Sequence, residues 1–240
     1  MANILVGKKA ILEQLKKDNV LAVHSLTFFP EIKKICDKKN INYIIQDKSF
    51  FNNIDSNHQG MIAWIKNENY LTENLHYFLS KVKSSLNKRK VIVMLDEISD
   101  TGNFGAIIRS CDAFGVDGII IKNKNQAEVN EYVIKASTGA IYNSNILRVT
   151  NLGTTIKALK ENNFWIVSTT LDDSKNLNET KFDFDCCVIL GNEKNGISQK
   201  LIEHSDFKIN IPMFGSVQSL NVSVATGIIL NYIKNYHSKE

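Results

Sequence analysis

From Val91 onward the chain alternates short apolar runs with helical stretches, and that alternation constrains its fold more than any other feature. Strands are expected at Val91–Leu95, Gly118–Ile121, Ile146–Val149, Trp165–Thr169, Cys187–Leu190 and Lys208–Ile211. Helices are expected over Phe104–Phe114, Val129–Ala136, Thr154–Glu161 and Val222–Tyr236. Gly115 stands where the end of a helix favours glycine. Strands separated by helices are joined by crossovers, so the expected fold is α/β, a mostly parallel sheet covered on both faces. Ligands of such sheets lie at the carboxyl ends of the strands.

The first part of the chain reads as a smaller α/β unit. Lys8–Lys17 and Pro30–Lys39 are expected helices, and Leu21–Val23, Tyr43–Ile45 and Met61–Ile65 expected strands. Leu75, Leu79, Val82 and Leu86 recur at helical spacing within Thr72–Leu86. The polar, basic stretch Ser84–Lys90 suggests a boundary. The division expected is 1–68 as one domain, 69–89 as a linker with a helix, and 90–240 as the larger domain.

Composition excludes several classes. Of the 240 residues, 43% are hydrophobic and 22% charged, values of a folded chain rather than a disordered one. Apolar runs such as Ile4–Val6 and Val188–Leu190 are far too short to span a bilayer, so no membrane role is expected. Met1-Ala2-Asn3 does not open an export signal, and a cytoplasmic setting is expected. Cys36, Cys111, Cys186 and Cys187 show neither a CxxC pair nor zinc-like spacing, so no metal is expected.

The net charge of +4 does not by itself identify a partner. Lysines crowd the first forty residues and 81–90, where they either form a solvated face or meet phosphates. Only Arg89, Arg109 and Arg148 among the 29 basic residues are arginines, which raises the question of what a planar, forked guanidinium does at each.

Three clusters carry candidate chemistry. After the first strand of the larger domain neither GxGxxG nor GxxxxGK[ST] is present, and Asn103-x-Gly105-x-x-x-Arg109 stands instead. Asn103 suits a helix cap, and Arg109 suits either a surface position or a reach back toward the strand ends. The second cluster is Gly191-Asn192-Glu193-Lys194-Asn195-Gly196, a carboxylate between two glycines at a strand end. It reads as a tight turn with a solvated acid, or as a place where backbone approaches a ligand. The third runs from Ile211-Pro212-Met213 to Ser219-Leu220-Asn221, with Ser219 or Asn221 placed to cap a terminal helix. That helix presents Val222, Ala225, Ile229, Tyr232 and Ile233, an apolar face for the core or for a second subunit.

Together these clusters resemble the three signature motifs of the SpoU group of the SPOUT superfamily, RNA 2′-O-ribose methyltransferases. The match covers 90–240 in order and spacing, with Thr101 in place of a proline and Cys111 in place of an alanine. Gly7 and His58-Gln59-Gly60 resemble the ribosomal-protein-L30e-like domain that precedes the catalytic domain in 23S rRNA guanosine 2′-O-methyltransferases. The resemblance implies a trefoil-knotted SPOUT fold, a homodimer, S-adenosylmethionine as methyl donor, and structured RNA as partner, rRNA or alternatively tRNA. It implies donor contacts at Gly191, Ile211 and Leu220 with Met213 nearby, and catalytic roles for Asn103, Arg109, Glu193, Ser219 and Asn221. Arginine is effectively never deprotonated in proteins. Arg109 is therefore expected to bind a phosphate and stabilise the developing alkoxide rather than act as a base. A non-catalytic RNA-binding assembly factor is the reading from another class, and the joint presence of the five candidate catalytic residues argues against it.

Overall fold

Two separate sheets organise the chain. The computed structural model describes residues 3–16, 20–52, 54, 58–65 and 70–238. Lys17, the expected end of the first helix, and the expected boundary at 68 and 69 lie outside these residues. One unit comprises Met1–Asn69 with Thr138–Tyr142, and the other Tyr70–Ser137 with Asn143–Glu240.

The first unit contains β1 (Asn3–Val6), α1 (Lys8–Leu15), β2 (Val20–Ser25), α2 (Pro30–Lys38), β3 (Asn42–Ile45), α3 (Lys48–Phe51) and β4 (Met61–Ile65). Its sheet runs β1-β4-β2-β3, with β4 antiparallel to both neighbours and β2 parallel to β3. The run Ile4–Val6, read from sequence only as too short for a bilayer, pairs with β4 and buries Leu5. Pro30 opens α2 at a position where its missing N–H costs nothing, and Glu31 complements the helix start. Ile11, Leu15, Val23, Ile32, Cys36 and Met61 are fully buried in this unit.

The second unit contains β5 (Leu71–Thr72), α4 (Leu75–Lys83), β6 (Val91–Asp96), α5 (Thr101–Ala113), β7 (Gly118–Lys122), α6 (Glu131–Ala136), β8 (Ile146–Val149), α7 (Leu152–Glu161), β9 (Trp165–Thr169), β10 (Lys175–Asn176), β11 (Cys186–Gly191), α8 (Gln199–Glu203), β12 (Phe207–Asn210) and α9 (Val222–His237). The strand order is β10-β12-β9-β11-β6-β7-β8-β5, and every adjacent pair is parallel. The α/β class and the mostly parallel sheet expected from the alternation are thus present.

All six residues of β6 are buried, as a central parallel strand requires. Ile92 and Met94 join Phe78, Val82, Ile156, Leu159 and Ile189 in one apolar layer. The alternate residues Val91, Val93 and Leu95 are equally buried, and the period of two sends them to the opposite face. α9 packs on α5 and β11. Its buried stripe is Val222, Thr226, Ile229, Leu230 and Ile233, while Val224 and Ile228 on its other side stay exposed.

Helix boundaries differ from expectation where side chains cap. α4 begins at Leu75 because Asn74 accepts from the Tyr77 N–H at 3.0 Å, and Leu86, expected in its apolar face, is fully exposed. The expected linker 69–89 holds β5 and α4, and Phe78, Leu79 and Val82 place that helix in the second unit's core. α5 starts at Thr101, three residues before Phe104, because Asp100 caps it by accepting from the Asn103 N–H at 2.7 Å. At its far end Val116 N–H donates to Cys111 and Gly115 N–H to Asp112, a Schellman closure with Gly115 at φ 60°. Among the described residues no helix is long and apolar enough to cross a membrane.

Candidate active site

The carboxyl ends of β6, β9, β11 and β12 share one edge of the second sheet, since these strands are parallel neighbours. Gly191 ends β11, opposite Asp96 at the end of β6. The chain then folds back at once: Asn192 and Gly196 exchange backbone hydrogen bonds of 3.0 and 2.8 Å. A Cβ on Gly191 would stand 2.2 Å from the Gly196 carbonyl carbon, so only glycine permits this crossing. Gly196 itself sits at φ 65°, the left-handed region.

Asn192, which sequence reasoning did not single out, holds this turn in shape. Its Oδ1 accepts from the Lys194 and Asn195 N–H groups at 2.8 and 3.4 Å, and its Nδ2 donates to the Glu97 carbonyl at 2.8 Å. Asp96, buried to 4% exposure, accepts from the Ser198 N–H at 2.8 Å and closes the loop. Asparagine satisfying nearby backbone donors is a recognisable turn signal, but the bond to Glu97 spans 95 residues and leaves no local trace. Glu97 adopts φ 64°, and hydrogen bonds from Lys122 at 2.6 Å and Asn125 at 3.2 Å hold its carboxyl below the usual range.

These constraints present Glu193, exposed at the turn, to α5. Asn103 donates through Nδ2 to Glu193 Oε1, and its Oδ1 accepts from Asn221 Nδ2 at 2.9 Å. Asn221 Oδ1 accepts in turn from the Ser223 N–H at 2.9 Å and the Ser223 hydroxyl at 2.6 Å, which makes it the N-cap of α9. Both amides are oriented by the ends of this chain. A backbone N–H only donates and an ionised carboxylate only accepts, so Asn221 and Asn103 must relay donor to acceptor in one direction. Asn103 is therefore not the helix cap considered from sequence. Asp100 takes that role, which leaves the Asn103 side chain free to link the second and third clusters.

The remaining expected residues take other positions. Arg109 is exposed on α5, and among the described residues its side chain forms no hydrogen bond or ion pair. Six residues of α-helix place it about 9 Å along the axis and about 120° around it from Asn103, so the two side chains do not share a face. Ser219 is exposed in the loop before α9 and stays outside the relay. Ile211 follows the last residue of β12, and Met213 and Leu220 are half-buried in the loop to α9. Between the strand that ends in Gly191 and the strand before Ile211 lies β9. Thr169 Oγ1 donates to the Ile189 carbonyl at 3.0 Å, and the Thr170 N–H donates to the Ile209 carbonyl at 3.0 Å. From sequence Thr169 reads only as the end of a strand.

No thiol serves this site. All four cysteines are free and buried. Burial pushes Cys186 up to about 12 and lifts Cys111 and Cys187 well above the ordinary thiol range. Among the described residues no group of three or more histidine, cysteine, aspartate or glutamate side chains is arranged to hold a metal ion.

A relay of amides between two loops at the ends of a parallel sheet defines a site built from three distant segments, and known proteins share those segments. Residues 90–231 match the SpoU rRNA Methylase family, and the chain belongs to that family of RNA methyltransferases. It is 40% identical over 236 residues to a protein of Mycoplasma genitalium named as an uncharacterized tRNA/rRNA methyltransferase, covering 96% of each chain. Among solved structures, the A. aeolicus TrmH/SpoU tRNA modifying enzyme is 35% identical, with a TM-score of 0.59 over 69% of this chain and 85% of that one. The fold is also that of an AdoMet-bound rRNA methyltransferase from Sinorhizobium meliloti, with a TM-score of 0.77, 20% identity, and coverage of 98% of this chain and 87% of that one.

Proposed function

We propose that the protein methylates a ribose 2′-hydroxyl in structured RNA with S-adenosylmethionine as donor, most closely a guanosine of 23S rRNA. The observation that carries this reading is the double hydrogen bond of Asn103, which joins segments 90 and 118 residues away at one point. The residues at the neighbouring strand ends fit such a donor. Gly191, Ile211, Met213 and Leu220 are half-buried, so they offer backbone groups and aliphatic surface without a competing charge. The AdoMet-bound rRNA methyltransferase of Sinorhizobium meliloti, which shares this fold, supports the same choice. When bound, S-adenosylmethionine supplies an electrophilic methyl carbon on a sulfonium.

The chain's own residues then position and stabilise the nucleophile. Glu193 and Asn221, held by Asn103, orient the ribose, and Ser219, two residues before Asn221, offers a further hydroxyl. Arg109 binds the phosphate next to the target nucleotide and stabilises the alkoxide that develops as the hydroxyl attacks and gives up its proton to that phosphate or to water. Holding both reactants in line removes much of the entropic barrier.

Residues 1–68 form an L30e-like unit that selects RNA, using exposed lysines such as Lys9, Lys34 and Lys38. Residues 90–240 form the trefoil-knotted SPOUT domain, with 69–89 leading into it. Two chains associate through the apolar surface that includes Val224 and Ile228, which are 50% and 39% exposed. The enzyme works in the cytoplasm. The tRNA alternative is favoured by the name of the A. aeolicus relative. Incubation of total rRNA and tRNA with labelled donor, followed by mapping of ribose-methylated positions, decides between them. Label in neither RNA at millimolar donor would remove the proposal.

A further inference from the structure

Where the Glu193 loop closes at Ser198, the second unit contains a cavity of about 380 Å³. Its walls are the ends of β6 and β7, the start of α7, and α8. Ser198 lines it, and the bond from Ser198 to Asp96 closes the loop that carries Glu193. The cavity therefore shares a wall with the candidate active site.

Its lining is basic. Lys122, Lys157, Lys200 and His204 all border it, beside the hydroxyls of Thr150 and Thr154. One of these charges is already balanced, and the one opposing charge is already engaged. Lys122 pairs with Glu97 at 2.6 Å, and the Asp96 carboxylate, the one acid in the lining, is buried on the Ser198 N–H. Lys157 and Lys200 are exposed and have no carboxylate partner among the described residues. The first turn of α7 adds backbone N–H groups of Leu152 and Gly153, the donors that every helix start leaves free. Leu152 and Leu201 are the large apolar lining residues, too little surface to sandwich a base. Cations, hydroxyls and amide donors around a polar hollow select an anion with several acceptor oxygens.

We propose that this cavity seats a backbone phosphodiester of the substrate RNA, with Lys157 and Lys200 as its charged contacts and Thr150 and Thr154 as donors. The inference rests on the reading of the protein as an RNA methyltransferase and adds an anchor that none of the three signature clusters contains. A strand held there and at Glu193 would be fixed at two points along one loop, which sets the register of the target ribose.

The test measures binding of fluorescein-labelled bulk rRNA and bulk tRNA to the full-length protein across a salt series. Lys157→Gln combined with Lys200→Gln should weaken RNA binding about tenfold at low salt and reduce the salt slope by about one. Binding of S-adenosylmethionine, read by calorimetry, should stay within about twofold of the parent, and the Lys157→Arg, Lys200→Arg pair should restore RNA affinity. In the unmodified protein, the same RNA should protect both lysines from acetylation read by mass spectrometry, a readout that needs no variant. Unchanged affinity and slope in the glutamine pair, while the parent binds RNA, would overturn the anchor and leave the methyltransferase reading standing. Protection of the two lysines by inorganic phosphate or AMP but not by RNA would reassign the cavity to a small phosphorylated ligand. A parent protein that binds neither RNA removes both readings together.

Discussion

The Asn103 carboxamide donates to the Glu193 carboxylate across 90 residues of sequence, while its oxygen accepts from Asn221. Asn103→Asp keeps the size and replaces the donor with a second carboxylate facing Glu193. The expected result is a loss of methyl transfer of about 100-fold, the scale of a charge-assisted hydrogen bond replaced by repulsion. Donor binding should persist. Single-turnover assays and calorimetry on the same preparation separate the two, and wild-type turnover by the aspartate variant would dismiss the relay.

Arg109→Lys tests the guanidinium. A point-charge ammonium does not reproduce a forked contact with phosphate. Activity should fall by about 100-fold or more, as for loss of a transition-state donor, with donor affinity retained. Because Arg109 has no structural partner among the described residues, thermal stability should not move. A lysine variant as fast as the parent would show that charge alone suffices.

Gly191→Ala places a methyl group about where the Gly196 carbonyl already stands, at 2.2 to 2.4 Å. Overpacking against backbone is expected to cost about 3 kcal/mol or more, a fall in Tm of about 6–12 °C for a unit of this size. Gly215→Ala, with nothing within 4 Å, serves as the neutral control. Differential scanning calorimetry compares them, and equal Tm values would mean that the turn relaxes freely.

The four thiols should resist modification in the native protein. Burial pushes the Cys186 thiol up to about 12, and all four are buried. Iodoacetamide at pH 8.5 should label none of them until denaturant is added, and then all four. Rapid native labelling of Cys111, on the same helix as Asn103, would contradict the close packing of α5.

Glu97 supplies a pH test. Lys122 and Asn125 lower its pKa in the folded protein, so the folded state holds the proton less tightly than the unfolded one. The stability from this pair is therefore present above the ordinary carboxylate range and is lost as pH falls through the lowered native value. Lys122→Met should raise the Glu97 titration, read by carboxyl NMR, and flatten the acid limb of stability. An unshifted Glu97 in that variant would assign the effect to other contacts.

Much of the fold was legible because parallel strands buried on both faces must be apolar throughout. β4, β8 and β9 fall on their expected residues, and β6 and β11 extend theirs by one or two. Short or polar strands escaped. β10 is Lys175-Asn176 and β5 is Leu71-Thr72, pairs that gain strand geometry only from a neighbour. Caps moved helix ends, as at Asp100 and Asn74, because one side chain accepting one N–H outweighs the apolar period there.

By itself, the sequence determined which residue types stand at the strand ends and in what order. It set the glycines that let the Gly191–Gly196 turn close, the asparagines able to both donate and accept, and the signature motifs that identify the family. Only the tertiary structure decided which of them meet. Asn103 reads equally well as a helix cap until Asp100 takes that place, and its bonds to Glu193 and Asn221 depend on α5 and α9 packing together beside β11. The basic cavity needed the same step, since Lys157 and Lys200 lie on helices 43 residues apart that pack together. Local composition governs backbone conformation within a few residues. Side-chain hydrogen bonds between distant segments follow from how the sheet and its helices pack.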